Sequence, residues 1–125
     1  MNKQESKELL IKDLCARLPY GVKCEVIKRH IDGEILYIRN GTNALELTIN
    51  NVKEIVTNSM YEIKPYLFPL SSMTVEQKIE EYKLMNSNFY TSTVELPDFY
   101  NKNHIDYRGL IPMRLANDTT GLNIY

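Results

Sequence analysis

The sequence has little of several residue types whose presence would narrow its chemistry. Among its 125 residues there is no tryptophan, and there are only two cysteines and two histidines. Cys15 and Cys24 stand at a spacing that matches no zinc or thiol-redox motif. Two histidines are too few for a histidine-rich metal site. We therefore expect no metal, no cofactor and two buried free thiols, with a disulfide between helix and strand as the alternative.

Long apolar runs and net charge are also missing. No run approaches the roughly 20 apolar residues that cross a membrane, and the charged amino terminus contains no apolar segment typical of a signal peptide. These absences predict a cytoplasmic protein with no membrane partner. Fifteen basic and sixteen acidic residues give a net charge of −1, which does not favour broad binding to nucleic-acid phosphates. A local basic patch stays an alternative, formed by Lys23, Lys28, Arg29 and Arg39.

The residues that are present predict one mixed domain over residues 1–125. A hydrophobic fraction of 43% and a charged fraction of 25% are ordinary for a globular protein of this length. The expected fold class is α+β, with a small antiparallel β-sheet and an N-terminal helix and short C-terminal helices packed on it. The three parts are a helix over 1–18, a β-meander over 22–64, and an extended segment plus short helices over 65–125. A sheet curled into an SH3-like barrel is the alternative.

The first helix is predicted by apolar residues at spacings of three and four. One side carries Leu10, Ile11, Leu14, Cys15 and Leu18. The other side carries Lys7, Lys12, Asp13 and Arg17. Asn2 and Glu5 are placed to cap the start, and Pro19 ends the helix.

The meander is predicted by alternation with a period of two. Its strands begin at Val22, Glu34, Leu45, Val52 and Met60. Its first two turns are expected at His30–Gly33, where Asp32 and Gly33 form a dipeptide typical of hairpins, and at Asn40–Asn43. Pro65 and Pro69 lack amide donors, so the segment that contains them is not expected to be a central strand. It should lie extended over the sheet and press Tyr66, Leu67, Phe68 and Leu70 onto the core.

The C-terminal part is predicted to contain two helices. Thr74 and Gln77 form a capping-box pattern that opens a helix to about Asn86. This helix presents Val75, Ile79, Tyr82 and Met85 on one face. A loop over Ser87–Thr93 and a short helix opened by Pro97 should follow, and the tail Thr119–Tyr125 should dock onto the domain.

The densest group of functional side chains lies between His104 and Gly109. In an extended segment His104, Asp106 and Arg108 would project from one face, where they could orient a general base or clamp a phosphate. The structural alternative is an Asp106–Arg108 ion pair with His104 capping the preceding helix. No residue is assigned as catalytic. The candidate binding residues are His104, Asp106, Tyr107, Arg108, Tyr66 and Lys64.

Tyrosine is abundant, with nine residues, and its flat apolar ring with a polar tip suits binding surfaces. Several tyrosines could line one surface where sheet and helices meet, although for most of them a place at the edge of the core is the favoured interpretation. They are Tyr37, Tyr61, Tyr66, Tyr82, Tyr90, Tyr100 and Tyr107.

Three segments of the sequence stand out together: LCARLPYGV at 14–22, KPYLFPLSSMT at 64–74 and NKNHIDYRGLI at 101–111. They resemble a family of short uncharacterised proteins carried by phages, prophages and mobile elements of gut Bacteroidetes. The sequence departs from the family pattern at Phe68, where a basic residue is common, and at Phe99 and Tyr100, which replace a turn containing tryptophan. The resemblance implies an origin and a shared fold but no activity.

These observations favour a non-enzymatic accessory binding protein of a phage or mobile element that engages a host protein. The first alternative is a protein that binds nucleic acid or a nucleotide signal, with tyrosines stacking on bases and Arg108, Lys64 or Arg29 meeting phosphate. The second is a small hydrolase that uses His104 and Asp106. The identity of the partner and the oligomeric state are left open.

Overall fold

The computed structural model describes residues 2–26, 31–38, 45–49, 52–56 and 63–125. Within these ranges helices and a β-sheet share the chain, which confirms the α+β class. The α-helices are α1 (Lys3–Arg17), α2 (Val75–Met85) and α3 (Leu96–Lys102). The strands are β1 (Lys23–Val26), β2 (Ile31–Ile38), β3 (Leu45–Ile49), β4 (Val52–Val56), β5 (Ile63–Pro69), β6 (Ile105–Asp106) and β7 (Asn117–Asp118).

Helix α1 begins and ends as the sequence predicts. The Asn2 side chain accepts a hydrogen bond from the Glu5 amide at 2.8 Å and donates one to the Glu5 carboxylate at 2.7 Å. These bonds satisfy groups that the first helical turn leaves without partners. The 3-10 turn Leu18–Tyr20 follows, and Gly21 then takes the left-handed conformation at φ 68°. Glycine adopts that conformation without a steric penalty, so the chain can leave the helix and enter β1.

The sheet has the strand order β4-β3-β2-β1-β5-β6, and β7 also pairs with β5. The first four strands form the predicted antiparallel meander, and β5 pairs antiparallel with β1. Strands β6 and β7 run parallel to β5, so the sheet is mixed, with the predicted antiparallel pairing from β4 to β5 and two short parallel additions. Among the described strands β4 and β6 do not pair to close a cylinder, and the SH3-like barrel is not confirmed.

The first turn of the meander was misplaced. Strand β2 already begins at Ile31, with Asp32 opposite Glu25 and Gly33 opposite Cys24. Because β1 extends to Val26, the Asp-Gly dipeptide pairs with β1 inside the ladder and does not form the turn. The Asn40–Asn43 turn and the start of the fifth strand at Met60 lie outside the described residues, as do Tyr61 and the basic residues Lys28, Arg29 and Arg39.

Strand β5 is an interior strand, contrary to the expectation from its prolines. It pairs with β1 through Ile63–Pro65, with β7 through Tyr66 and Leu67, and with β6 through Phe68 and Pro69. Pro65 forms the last pair of the ladder with β1, and Pro69 forms the last pair with β6. Each missing amide therefore falls at the end of a ladder, where a strand tolerates the loss of one donor.

The hydrophobic core lies between α1 and the β1–β5 part of the sheet. Its buried members are Leu10, Leu14, Val22, Cys24, Ile63, Leu67, Leu110 and Ala116. No disulfide joins the two cysteines, and only Cys24 is buried. Cys15 is exposed, because it stands at the far edge of the apolar side of α1. The prediction of two buried thiols was therefore wrong for Cys15.

The C-terminal part is more helical than expected. The chain is helical again from Phe89, and a π-helical turn at Thr91–Glu95 leads directly into α3, so the predicted loop over Ser87–Thr93 was wrong beyond residue 88. Pro97 lies at the start of α3, within this longer helical run. The tail docks as predicted, since the Tyr125 hydroxyl accepts from the Lys23 amide at 2.9 Å and donates to the Tyr66 carbonyl at 2.8 Å. None of the described helices combines the length and the apolar composition that a membrane crossing requires.

Candidate functional site

The inner side of α1 holds a buried ionic network. Asp13 and Arg17 each have 0% exposed surface. The Arg17 guanidinium donates from Nε and Nη2 to the two Asp13 oxygens, at 2.9 and 3.1 Å. Arg17 Nη2 also donates to the Ile105 carbonyl at 2.6 Å. The prediction that Asp13 and Arg17 face away from the apolar side was wrong, because both continue the stripe formed by Leu10 and Leu14.

Arg108 completes this network from the segment after β6. Its Nη1 donates to Asp13 Oδ1 at 2.8 Å, and its guanidinium carbon lies 4.5 Å from the centre of the Tyr107 ring. The Tyr100 ring stacks on Tyr107 with centroids 4.9 Å apart. The Arg108 guanidinium and the Tyr100 ring both pack against the Tyr107 ring, so Tyr107 takes part in the internal packing of the protein.

The candidate segment does not bring its three ionisable side chains together. Arg108 pairs with Asp13, and the expected ion pair between Asp106 and Arg108 is absent from the described contacts. Both carboxylate oxygens of Asp106 accept backbone amides, from Leu110 and Ile111 at 2.8 Å each. Asp106 therefore holds the turn that follows it, which explains why a carboxylate is tolerated at 5% exposure.

His104 contacts a different part of the protein from Asp106. Its backbone has a φ of 56°, and its ring stacks on the Tyr125 ring at 3.6 Å between centroids. Burial, followed by the positive charges of Arg17 and Lys23, lowers the pKa of His104 to about 4. The residue that ends α3 is Asn103, whose amide side chain donates to the Phe99 carbonyl at 2.9 Å. The prediction that His104 caps this helix was therefore wrong.

Three of the six candidate binding residues share a cleft of about 480 Å³. Asp106, Tyr107 and Arg108 line one wall, and Pro69, Leu70 and Ser71 line another. The other three candidates, Lys64, Tyr66 and His104, do not line it. Lys64 lies opposite Glu25 in the sheet, and Tyr66 is buried at 8% exposure. The cleft wall is mainly apolar, and its two carboxylate oxygens already have backbone partners.

Helix α2 has the opposite orientation to the one its sequence suggests. Its apolar stripe points away from the protein, with Val75 69%, Ile79 52% and Tyr82 70% exposed. No residue of α2 is buried. We call the exposed set the α2 face, and it consists of Val75, Ile79, Tyr82, Met85, Phe89 and Tyr90. The sequence identified the stripe on α2 but gave no sign that the stripe is left uncovered.

Polar contacts hold α2 in this orientation. The capping box between Thr74 and Gln77 is present as predicted. The Gln77 side chain also reaches Asn103 at 3.4 Å, and the Tyr100 hydroxyl donates to Glu81 at 2.6 Å. Burial and the nearby Glu81 carboxylate raise the pKa of Tyr100 above its usual range. Gln77 and Glu81 therefore form the inner side of the helix, and the apolar residues must face outward.

Chemical groups that would define a catalytic or metal centre are not assembled in the described part of the chain. No group of three or more His, Cys, Asp or Glu side chains is placed to hold a metal ion among those residues. No protein-family model, curated protein sequence or solved structure matches this chain. The geometry of the molecule must therefore supply the functional argument.

Proposed function

We propose that the protein is a non-enzymatic binding module that engages another protein through its α2 face. The observation that carries this proposal is the outward direction of the apolar stripe on α2, where Tyr82 is 70% exposed, together with Phe89 in the following segment, which is 83% exposed. Contiguous exposed apolar surface is rare on monomeric proteins and commonly marks an interaction site. Tyrosine, phenylalanine and methionine are also the residue types enriched at interfaces.

The spacing of the stripe indicates the kind of partner surface. Val75, Ile79 and Tyr82 stand at positions i, i+4 and i+7 of a helix, the anchor pattern of a helix that lies in a groove. A matching partner presents an apolar groove of helix width. The resemblance to phage and mobile-element proteins leads us to place that groove on a protein of the bacterial host, with this chain as an accessory protein.

The fixed position of α2 supports a binding role for the exposed stripe. The capping box and the bond from Tyr100 to Glu81 hold the inner side of α2, so the anchors are presented on an ordered helix. A helix that is ordered before binding loses less conformational entropy when the complex forms. The proposal therefore rests on an orientation that several polar contacts specify.

The test is an affinity capture from native lysate of a bacterial host, in the presence and absence of nuclease. The baits are the wild-type protein, Ile79→Glu on the α2 face and Lys102→Glu as the matched control, an exposed residue of α3 outside that face. We expect a host protein to be retained by the wild type and the control and to be lost with Ile79→Glu, whether or not nuclease is added.

Two results would contradict the proposal. Equal retention of the same protein by Ile79→Glu would show that the α2 face does not bind it. Retention that disappears with nuclease would favour the alternative in which the protein binds nucleic acid. Circular dichroism of each bait establishes that the substitutions leave the fold intact, since both replaced side chains are exposed.

A further inference from the structure

The charged residues that flank the α2 face have a pattern that suits a second copy of the same helix. Glu76 and Lys83 are seven residues apart and therefore lie on the same flank of the stripe, two turns from each other. Lys78 lies on the other flank, and Met85, seven residues further on, is the member of the α2 face at that edge. On the first flank of the apolar stripe the helix thus carries an acidic residue, Glu76, near its beginning and a basic residue, Lys83, near its end.

An antiparallel pair of α2 helices joins opposite charges on one flank and brings no like charges together on the other. With the apolar residues of the two copies in alternating layers, Ile79 of one copy meets Tyr82 of the other, and the same contact recurs across the two-fold axis. In that register Glu76 faces Lys83 of the second copy, twice. On the other flank Lys78 faces Met85 of the second copy, so like charges do not meet there.

A parallel pair of the same helices is disfavoured. In a parallel pair of helices, a residue on one flank of the apolar stripe contacts the residue five positions further along the second helix. Lys78 would then face Lys83 of the second copy, and this repulsion would occur twice. The two helix dipoles would also point in the same direction, whereas antiparallel dipoles attract.

We propose that, when no other partner is bound, a second copy of this chain occupies the α2 face as an antiparallel helix pair. This inference rests on the proposed function in that it concerns the same surface. An 11-residue helix is about 16 Å long, so the contact is smaller than a standard stable interface. The dimer is therefore weak and reversible, and it covers the apolar stripe until a tighter partner displaces the second copy.

The test exchanges the charges of the proposed ion pair and uses sedimentation equilibrium over a range of protein concentrations. The wild type is expected to associate reversibly into dimers. Glu76→Lys and Lys83→Glu each replace two attractive contacts with two repulsive ones, so each variant alone should associate about tenfold more weakly. An equimolar mixture of the two variants restores both attractive contacts and should regain the dimer, which a folding defect in either variant would not allow.

Control variants separate the α2 face from the remaining surface. Ile79→Glu should be monomeric throughout, and Lys102→Glu should associate like the wild type. A monomeric wild type, unchanged association of Glu76→Lys, or no recovery in the mixture would each overturn the inference. Stronger association of Lys83→Glu would indicate a parallel pair and would also overturn it.

The lysate capture distinguishes failure of this inference from failure of the proposed function. A monomeric protein that still retains a host protein in an Ile79-dependent manner contradicts only the dimer. A charge-dependent dimer that retains no other protein supports the dimer and contradicts the host-binding function.

Discussion

The inner side of α1 and the outer side of α2 reverse the usual distribution of side chains. The first buries an aspartate and an arginine completely, whereas the second leaves valine, isoleucine and tyrosine in solvent. The buried ions are tolerated because three hydrogen bonds join Asp13 to Arg17 and Arg108. The exposed apolar residues have no comparable role within the described structure. The contrast indicates that the buried charges of α1 serve the fold, whereas the exposed apolar face of α2 is available for binding.

The largest expected effect comes from breaking the buried network. Asp13→Ala leaves the Arg17 guanidinium buried without its carboxylate, so the free energy of unfolding should fall by about 3–5 kcal/mol. Urea denaturation followed by circular dichroism measures this change. Lys12→Ala, one position away on the exposed side of α1, should cost less than about 0.5 kcal/mol. Equal effects of the two substitutions would show that the network does not stabilise the fold.

A pair of alanine substitutions compares the two apolar surfaces directly. Leu14→Ala creates a cavity in the core and should cost about 2–5 kcal/mol. Ile79→Ala removes methyl groups that are already in solvent and should change the free energy of unfolding by less than about 0.5 kcal/mol. The same denaturation experiment measures both variants. A cost for Ile79→Ala near that of Leu14→Ala would mean that the α2 face is packed against the protein.

Acid should weaken the docked tail before it weakens the α2 face. His104 titrates at its ordinary pKa of 6.5 in the unfolded chain and at about 4 in the folded protein. Between these values the unfolded state binds more protons, so stability is complete above pH 6.5 and is lost as the pH falls towards 4. The expected loss is about 1–2 kcal/mol, less than the full shift implies because the ring is partly exposed.

The matched variant for this pH dependence is His104→Asn. Asparagine tolerates the left-handed backbone at this position and does not titrate in the range. Denaturation at pH 7 and at pH 4.5 should therefore show a smaller difference for the variant than for the wild type. A difference of the same size in both proteins would assign the pH dependence to other groups.

The smallest expected effect concerns the polar contact that orients α2. Tyr100→Phe removes the hydrogen bond to Glu81 and should cost about 1 kcal/mol. It should also weaken capture of the partner modestly, since the anchors would be less firmly presented. Tyr90→Phe is the control for the stability measurement alone, because Tyr90 is exposed; capture is compared with the wild type, since Tyr90 belongs to the α2 face. If Tyr100→Phe leaves both stability and capture unchanged, another contact sets the orientation of α2.

Local sequence patterns predicted much of the fold. The Asn2 cap, the Thr74 capping box and the meander from β1 to β4 each depend on residues a few positions apart, and they appear where the patterns place them except for the first turn of the meander. The continuation of β5 through residues 65–69 was missed because a proline interrupts a ladder only at one position, and the partners β6 and β7 are distant in the chain. Whether a proline interrupts the hydrogen bonding of a strand therefore depends on that distant pairing.

The candidate site was harder to predict for a related reason. The spacing of His104, Asp106 and Arg108 suggested one face, but the turn after β6 sends Asp106 to backbone amides and Arg108 to Asp13 on α1. The spacing of Asp13 and Arg17 at i and i+4 is a usable sign of their pairing. The sequence cannot show which side of α2 meets the protein, because that choice depends on Tyr100 and Asn103 from α3.

Site-specific photocrosslinking in host cells tests the central claim most directly. A photoreactive phenylalanine analogue replaces Tyr82 on the α2 face or, as a control, Tyr107 inside the stacked cluster. The account predicts discrete adducts from position 82, to a second copy or to a host protein, and no intermolecular adduct from position 107. The absence of any adduct at position 82, or adducts of equal yield at position 107, would contradict the assignment of the α2 face as the binding surface.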